Sequence, residues 1–232
     1  MGGPVNETAH RPEAEDSYAA GARAAVPLIL PTLLIGVSFG VAASTVGWGV
    51  LAPVVMSAIV FSGAAQFAIA SVLGAGGSVV AAVLAATLIA TRFLAMGAAI
   101  GPSMRGGPLR RALEGQAVVD ASLVLARVSH ARYGPRRLLG ATAPQYLCWT
   151  GGTLIGVLLG GRIADPEALG LDVVFPAFFV VLVAGELSTP AARVTAAVAV
   201  LIVLVLIPLT PPGTPVIAAC AAVLAGRLVS RT

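Results

Sequence analysis

Charged residues are scarce in this sequence. They make up 10% of its 232 residues, whereas about 25% is usual for a soluble domain. From Ala24 to Thr91, 68 consecutive residues carry no formal charge, and such a run cannot form a water-facing surface. Since one membrane span needs about 20 apolar residues, the run is long enough for about three spans. This composition excludes an ordinary soluble enzyme and a nucleic-acid-binding protein, and it predicts a multi-span integral membrane protein.

Reactive and metal-binding residues are also few. Cys148 and Cys220 both lie in apolar runs and are expected to be small core residues rather than a disulfide or a metal pair. His10 and His130 fall outside these runs, which argues against a histidine proton relay. The sequence contains no Ser/His/Asp set, Cys/His cluster or phosphate-binding loop. It therefore predicts no enzymatic activity, no metal site and no cofactor.

The apolar runs divide at their turn residues into seven predicted spans of an all-α membrane protein. Residues 1–20 lack the basic start and short apolar core of a signal peptide and are expected to be a disordered tail. Residues 21–232 are expected to form one membrane domain, with a first unit at 21–102, a connector at 103–136, a second unit at 137–208 and a final helix at 214–230. The predicted spans are 24–45, 51–73, 79–100, 138–160, 173–188, 190–207 and 215–229.

The arginines predict the orientation of these spans, because lysine is absent and all 14 basic residues are arginine. With the N-terminus outside and the C-terminus cytoplasmic, three arginines face the exterior and ten face the cytoplasm, as the positive-inside rule requires. The exterior three are Arg11, Arg23 and Arg162, and the cytoplasmic ten are Arg105, Arg110, Arg111, Arg127, Arg132, Arg136, Arg137, Arg193, Arg227 and Arg231. Charges within 111–128 make that segment a poor span, so an amphipathic or half-buried helix is expected there. If it also spans, the best split falls to eight against four.

A short segment of the first unit recurs in the second. Leu34–Gly40 matches Leu154–Gly160 at five of seven positions with an offset of 120, and 54–58 matches 173–177 at three of five with an offset of 119. Chance is the alternative, because Val, Ala, Gly and Leu dominate the chain, but the agreement of the two offsets favours a repeat. Units of three spans would enter the membrane from opposite sides. Inverted repeats with a binding site at the midplane are typical of transporters.

Both repeated segments carry glycines spaced four residues apart. These are Gly36 and Gly40 in the first predicted span, and Gly152, Gly156 and Gly160 in the fourth. Small residues at this spacing let two helix backbones approach closely. We therefore expect these glycines to contact another helix rather than a ligand.

The segment Phe61–Phe67, with the sequence FSGAAQF, is the strongest local signal for a binding site. Ser62 and Gln66 lie four residues apart and share a helix face, and Gly63 between them permits a break in the helix. A break frees backbone N–H and C=O groups, which can bind a carboxylate and an ammonium. The alternative is that Gln66 only bonds a neighbouring helix, since such polar contacts are often structural. The residues alone do not separate the two roles.

A charged residue also falls within a predicted span. Arg92 lies in the third span, where a lone charge is costly and usually functional, although a long side chain can instead reach the interface. Asp120, in the connector, is the candidate partner for it. Gln145 in the fourth span is open to the same packing role as Gln66 and has less motif support.

Several of these segments, in this order, resemble the AzlC family of branched-chain amino-acid exporters. The segment FSGAAQF resembles the family's AGAAQF-type motif, and Arg23–Gly40 resembles its opening helix. Arg92–Gly97 resembles its N-x-R-H-x-L-Y-G segment, Val119–Ala121 its T-D-E segment, and Leu171–Phe179 its L-D-F-x-L-P-A-L-F segment. The resemblance covers roughly residues 20–230. It departs from the family pattern at four positions: Ala90 replaces an Asn or Asp, Phe93 a His, Ala121 a Glu, and Leu34 a Pro.

The resemblance implies proton-driven export of branched-chain amino acids across the cytoplasmic membrane, usually with a small four-span subunit of the AzlD type. It implies a substrate site around Ser62, Gly63, Gln66, Arg92 and Asp120. The substrate carboxylate would meet the freed N–H groups near Ser62 and Gly63, and the ammonium would meet carbonyls, Gln66 or Asp120. Two alternatives remain open, a non-transporting scaffold or regulatory subunit and a channel for a small neutral solute. Concentrative, gradient-dependent flux separates export from both.

Overall fold

The computed structural model describes residues 15–74, 76–129, 132–162, 187–210, 214–219 and 221–229, with single residues at 170, 173, 177, 180, 183 and 184. These residues form α-helices and one short antiparallel β-hairpin, so the all-α class is confirmed. The helices are α1 (Tyr18–Thr45), α2 (Leu51–Val60), α3 (Gly63–Gly74), α4 (Val79–Ala90), α5 (Arg92–Ile100), α6 (Pro108–Gly115), α7 (Asp120–Leu125), α8 (Pro135–Gly160), α9 (Pro190–Leu206), α10 (Thr214–Ala219) and α11 (Ala222–Val229). The strands are β1 (Arg127–Ser129) and β2 (Arg132–Tyr133).

Two stretches of the described chain are long and apolar enough to cross a membrane, α1 and the segment Val79–Ser103, each with a mean hydropathy of 2.1. Helix α8 is more polar, but its 26 residues extend about 39 Å at about 1.5 Å per residue, which exceeds the about 30 Å hydrocarbon core. The predicted fifth span, 173–188, lies largely outside the described residues. The predicted final helix is present as α10 and α11. The count of seven spans stays a prediction.

Helices α1 and α8 form the centre of the fold, and glycines bring their backbones together. A methyl group added at Gly36 would meet the carbonyl oxygen of Trp149, and one added at Gly156 would meet the carbonyl oxygen of Val37. The predicted packing role of the glycines is therefore confirmed. At the start of the pair, the Asp16 carboxylate accepts a hydrogen bond of 3.0 Å from the backbone N–H of Arg137. It thus caps the first turn of α8, where free N–H groups favour an anion.

Adjacent glycines on α8 provide a direct test of this packing. A methyl group added at Gly152 would overlap the carbonyl oxygen of Leu33, whereas one added at Gly151 has open space around it. Gly152→Ala forces the two helices apart, and we expect it to lower the free energy of unfolding by about 1–3 kcal/mol. Gly151→Ala serves as the matched control and should leave stability equal or slightly higher, because alanine favours the helix. Thermal unfolding of the two variants in detergent measures the difference, and equal stability would contradict the close contact.

The predicted second span does not cross from one end of the helix pair to the other. Helix α2 begins just after α1 ends, and α3 ends beside the end of α1, with Gly74 next to the side chain of Val46. Between them, the hydroxyl of Tyr146, near the middle of α8, donates a hydrogen bond of 2.9 Å to the carbonyl of Ala58. Helices α2 and α3 therefore form a re-entrant hairpin that reaches the middle of α8 and returns.

The next segment crosses fully and brings the chain back to the start of α1. Helix α4 begins after the hairpin, and α5 ends at Ile100, which packs in one buried cluster with Leu138 at the start of α8. We call this the connector end, because α6, α7 and the β-hairpin follow here. Residues Ala117, Ala121 and Ala126 of the connector are buried, which confirms the predicted half-burial. The segment is not the single helix that the sequence predicted, because α6 ends at Gly115 and α7 begins at Asp120.

The inverted repeat predicted from the sequence is wrong for the first helix of each unit. Inverted units of three spans would make α1 and α8 antiparallel, but Gly21 lies against Arg137, Gly36 against Trp149 and Gly40 against Thr153. Both helices therefore run in the same direction. The physical reason is the hairpin, which leaves two crossings rather than three before α8. The start of α1 and the connector therefore lie at the same end of the helix pair, whereas the sequence predicted an exterior N-terminus and a cytoplasmic connector.

The corrected path changes the predicted orientation. Among the described residues up to 162, eight arginines lie in or next to the connector end, whereas Arg162 follows the opposite end of α8. The eight are Arg23, Arg105, Arg110, Arg111, Arg127, Arg132, Arg136 and Arg137. The positive-inside rule therefore predicts a cytoplasmic connector end, and the start of α1 lies at the same end.

Cysteine labelling tests this orientation. Ala19, Gly107 and Gly161 are exposed, and each is replaced by cysteine in a background without the two native cysteines. An impermeant thiol reagent applied to the cytoplasmic face should modify the variants at 19 and 107, and one applied to the exterior should modify only the variant at 161. Labelling of the variants at 19 and 107 from opposite faces would contradict the parallel pair.

Candidate functional site

A central cavity of about 60 Å³ lies where the hairpin tip, the junction of α4 with α5 and the start of α7 meet α1 and α8. Four of the five predicted site residues line it: Ser62, Gly63, Arg92 and Asp120. The rest of its wall is mostly apolar or aromatic and consists of Thr32, Ile35, Phe61, Phe93, Val119, Ala121, Gln145 and Trp149. The structure therefore brings together residues that lie up to about 120 positions apart in the sequence.

The hairpin tip places a helix break at this cavity, as the sequence predicted. Helix α2 ends at Val60 and α3 begins at Gly63. The residue that turns the chain is Phe61, with φ 42° and ψ 47°, rather than Gly63. Left-handed backbone costs a non-glycine residue about 1–2 kcal/mol, so surrounding contacts must hold it. Its ring packs edge-to-face on Tyr146, with centroids 5.2 Å apart.

Arg92 and Asp120 form the charged part of the site. One guanidinium nitrogen of Arg92 lies 2.9 Å from a carboxylate oxygen of Asp120, with the side chains 21% and 28% exposed. The predicted pairing is confirmed. Arg92 also lies over the Phe93 ring, 5.3 Å from its centroid. The pair puts one positive and one negative charge at the middle of the helix bundle, where an isolated charge would be strongly unfavourable.

Two hydroxyl groups in the cavity wall are buried without a partner. Thr32 is 5% exposed and Ser62 is 4% exposed, and neither hydroxyl oxygen has a hydrogen-bond partner within the part of the chain that the structure describes. A buried polar group left unpaired costs about 1–3 kcal/mol, so such groups call for an explanation. A polar ligand in the cavity would satisfy both. Sequence reasoning missed Thr32, since a hydroxyl in an apolar helix is usually a packing group.

Gln66 lies behind the cavity and is fully buried. Its side-chain amide donates to the Ser57 hydroxyl at 2.8 Å, and its oxygen accepts from the Trp149 indole at 3.1 Å and from the backbone N–H of Ser62 at 3.3 Å. The Ser57 hydroxyl also lies 2.8 Å from that of Thr153. These bonds fasten both arms of the hairpin to α8. This arrangement favours the helix-bonding role for Gln66 that the sequence left open.

Gln145 is buried and lines the cavity from α8. Its amide nitrogen donates to the carbonyl of Ala141, one turn earlier, at 2.8 Å. The sequence favoured Gln66 over Gln145 as a binding residue, but the structure places Gln145 in the cavity wall and Gln66 behind it. The two residues lie on separate helices, and nothing in the sequence indicates which of them faces the cavity.

The described residues hold no group of three or more His, Cys, Asp or Glu side chains that could bind a metal ion. Cys148 is half-buried on α8 with a free thiol, and Cys220 lies outside the described residues. The cavity thus offers charge, hydroxyl groups and apolar walls. These groups are suited to binding a small molecule.

Comparison with known proteins assigns the chain to a family. The family described as AzlC protein matches residues 27–163, which run from within α1 through the end of α8. The inner membrane protein YgaZ of Escherichia coli is 27% identical over 179 residues, 70% of each chain. An uncharacterized membrane protein of Archaeoglobus fulgidus is 28% identical over 209 residues, 88% of this chain and 90% of that one. No solved structure matches. The chain belongs to the AzlC family of membrane transporters.

Proposed function

We propose that this protein exports branched-chain or similar small apolar amino acids across the cytoplasmic membrane as a secondary transporter. The observation that supports this best is the composition of the central cavity, which combines a cation, an anion, two unpartnered hydroxyls and apolar walls. A zwitterion with an aliphatic side chain carries the complementary groups. A neutral solute would have no use for the charged pair at this depth.

The carboxylate of the substrate is expected to bind at the hairpin tip. Ser62 supplies a buried hydroxyl without a partner, Gly63 begins α3, and Arg92 supplies a positive charge. The first N–H groups of a helix have no partner within the helix and favour an anion. Charge-assisted hydrogen bonds to Arg92 would add to this.

The ammonium group is expected to bind toward Asp120, with the hydroxyl of Thr32 as a second acceptor. The aliphatic side chain then lies against Ile35 and Trp149. A cavity of about 60 Å³ holds about five water molecules at about 10–15 Å³ each, and an amino acid needs more room. Binding therefore requires the hairpin tip and α7 to move apart.

Proton coupling is assigned to Asp120 in this proposal. It is the carboxylate of the cavity wall, and its protonation would remove the anion that the substrate ammonium binds. A proton and a substrate molecule would therefore occupy the site in turn. Such an exchange would couple the entry of one proton to the export of one substrate.

Efflux of radiolabelled leucine, isoleucine, valine and methionine from cells with and without this chain tests the function. We expect faster efflux with the chain, abolished when the proton gradient is collapsed. Flux that persists down a concentration gradient after collapse would indicate a channel. Equal efflux in both strains, even with an AzlD-type subunit co-expressed, would reject transport of these amino acids.

A small four-span partner of the AzlD type is also part of the proposal, because few helices are available here to enclose a pathway. We expect full efflux only when that subunit is co-expressed. Full export by the purified chain alone in liposomes would contradict it.

A further inference from the structure

A second, larger cavity lies beside the central one, toward the connector end. It encloses about 490 Å³ between the hairpin tip, α5 and α6. Its wall combines polar groups with apolar side chains, among them Ile100, Met104 and Val118. Arg111 is the charged residue of this wall, and its guanidinium donates to the carbonyl of Gly101 at 3.0 Å. We call this cavity the access chamber.

One layer of side chains separates the access chamber from the central cavity. Phe61, Phe93 and Val119 line both, and we call these three residues the barrier. They come from three different elements: the hairpin tip, α5 and the segment just before α7. A relative movement of any of these elements changes the opening between the cavities.

The residues of the barrier are held by the site itself. Phe61 takes a strained left-handed conformation, Phe93 lies under the guanidinium of Arg92, and Val119 directly precedes Asp120. Strain that the surroundings maintain is common where a protein switches between arrangements. A change in the Arg92–Asp120 pair therefore acts directly on two of the three barrier residues.

We propose that the access chamber is the connector-side route to the central cavity and that Phe61, Phe93 and Val119 are the barrier that closes it. The molecule that enters has a carboxylate, which meets Arg111, and an apolar side chain, which contacts the chamber wall. The nature of this molecule rests on the proposed function, whereas the position of the barrier does not. The chamber is wide enough for an amino acid, and the central cavity in its present form is not.

Accessibility of a cysteine at the hairpin tip tests the barrier without any substrate. Ser62→Cys is made in a background without native cysteines, and an impermeant methanethiosulfonate cation is applied from the connector side. We expect slow modification, accelerated about tenfold by Phe93→Ala. Leu94→Ala is the matched control, because Leu94 is the next residue of α5 and is 76% exposed. It should leave the rate unchanged.

A second barrier variant provides an independent test in case Phe93→Ala does not fold. Phe61→Gly removes the other ring, and glycine adopts a positive φ without strain, so the turn is retained. The barrier would be disproved if neither Phe93→Ala nor Phe61→Gly differed from Leu94→Ala, or if acceleration occurred only from the opposite side. These outcomes are independent of whether any amino acid is transported.

The role of Arg111 is tested by efflux. Arg111→Gln should raise the substrate concentration for half-maximal efflux about threefold to tenfold, as expected for loss of one charge-assisted contact. Because it removes a positive charge from the route, it should speed the modification of Ser62→Cys by the cationic reagent. Arg110→Gln, one residue away and outside the chamber wall, should change neither. Equal effects of the two substitutions would remove Arg111 from the route.

Discussion

Asp120→Asn is expected to reduce transport about tenfold to a hundredfold. The substitution keeps the shape of the side chain but leaves the Arg92 guanidinium without its counter-charge at 2.9 Å. In the proposed mechanism it also removes the carboxylate that the substrate ammonium binds. A hydrogen bond to a charged group contributes about 1.5–3 kcal/mol, which corresponds to about tenfold to a hundredfold. Initial rates of substrate efflux in matched membrane vesicles measure it.

An ion pair outside the central cavity provides the control. Arg110 and Glu114 lie 2.8 Å apart on α6, with side chains 68% and 11% exposed. A pair with a solvent-exposed partner contributes about 0–1 kcal/mol, so substitution of the exposed partner, Arg110→Gln, should leave transport near the wild-type rate. The double variant Arg92→Gln/Asp120→Asn removes both charges, and it should recover expression without recovering transport. Normal transport by Asp120→Asn would mean that the pair only supports packing.

Gln66→Leu is expected to destabilise the protein by about 2–4 kcal/mol. It removes one hydrogen bond from the hairpin to α8 and two within the hairpin, and it leaves the Trp149 indole, the Ser57 hydroxyl and the Ser62 N–H with one partner fewer. Bonds between helices in membranes average about 0.6 kcal/mol each, and unsatisfied buried groups cost about 1–3 kcal/mol. Thermal unfolding in detergent measures the loss. Gln116→Leu, at an exposed glutamine of the connector, is the control and should be close to neutral.

Substrate affinity separates the two roles that Gln66 could have. In a helix-bonding role, the surviving folded Gln66→Leu protein should bind substrate with near wild-type affinity. Trp149→Phe, which removes one of the three bonds, should show a smaller loss of stability in the same direction. A Gln66→Leu protein of normal stability whose affinity falls tenfold or more would place Gln66 in the substrate site instead, as the sequence motif first suggested.

Local signals predicted the parts of the site that depend on a few neighbouring residues. A glycine within an apolar run, flanked by polar residues, predicted the helix break at 61–63, because a backbone turn needs such a residue nearby. A lone arginine in a span predicted a carboxylate partner, because an uncompensated charge is unfavourable in hydrocarbon. Gly36 and Gly156 predicted a close helix crossing. Each of these predictions depends on the conformational, electrostatic or steric energy of a single residue.

The path of the chain depended on features that no local pattern contains. The run 51–74 is long enough to cross a membrane, and its composition is the same whether it crosses or turns back. The left-handed Phe61 reverses the chain, and this one residue changes the side on which everything after it lies. Thr32 was missed for a related reason, since its importance comes from the partners that its hydroxyl lacks after folding.

The parallel course of α1 and α8 bears on how such a chain could arise. Gly36 contacts Trp149, and Leu33 contacts Gly152 across the same crossing. Gly152 lies 116 residues after Gly36, and Trp149 lies 116 residues after Leu33, so exchanging the two helices turns one contact into the other. The two contacts are thus related by a two-fold axis parallel to the helix pair, one helical turn from the register of the sequence match. An ancestral half with an even number of crossings could insert in a single orientation and dimerise with an identical copy. Gene duplication and fusion could then join the two copies directly. The arginines of both copies would stay on the same side of the membrane, so no ancestor that inserted in both orientations would be needed.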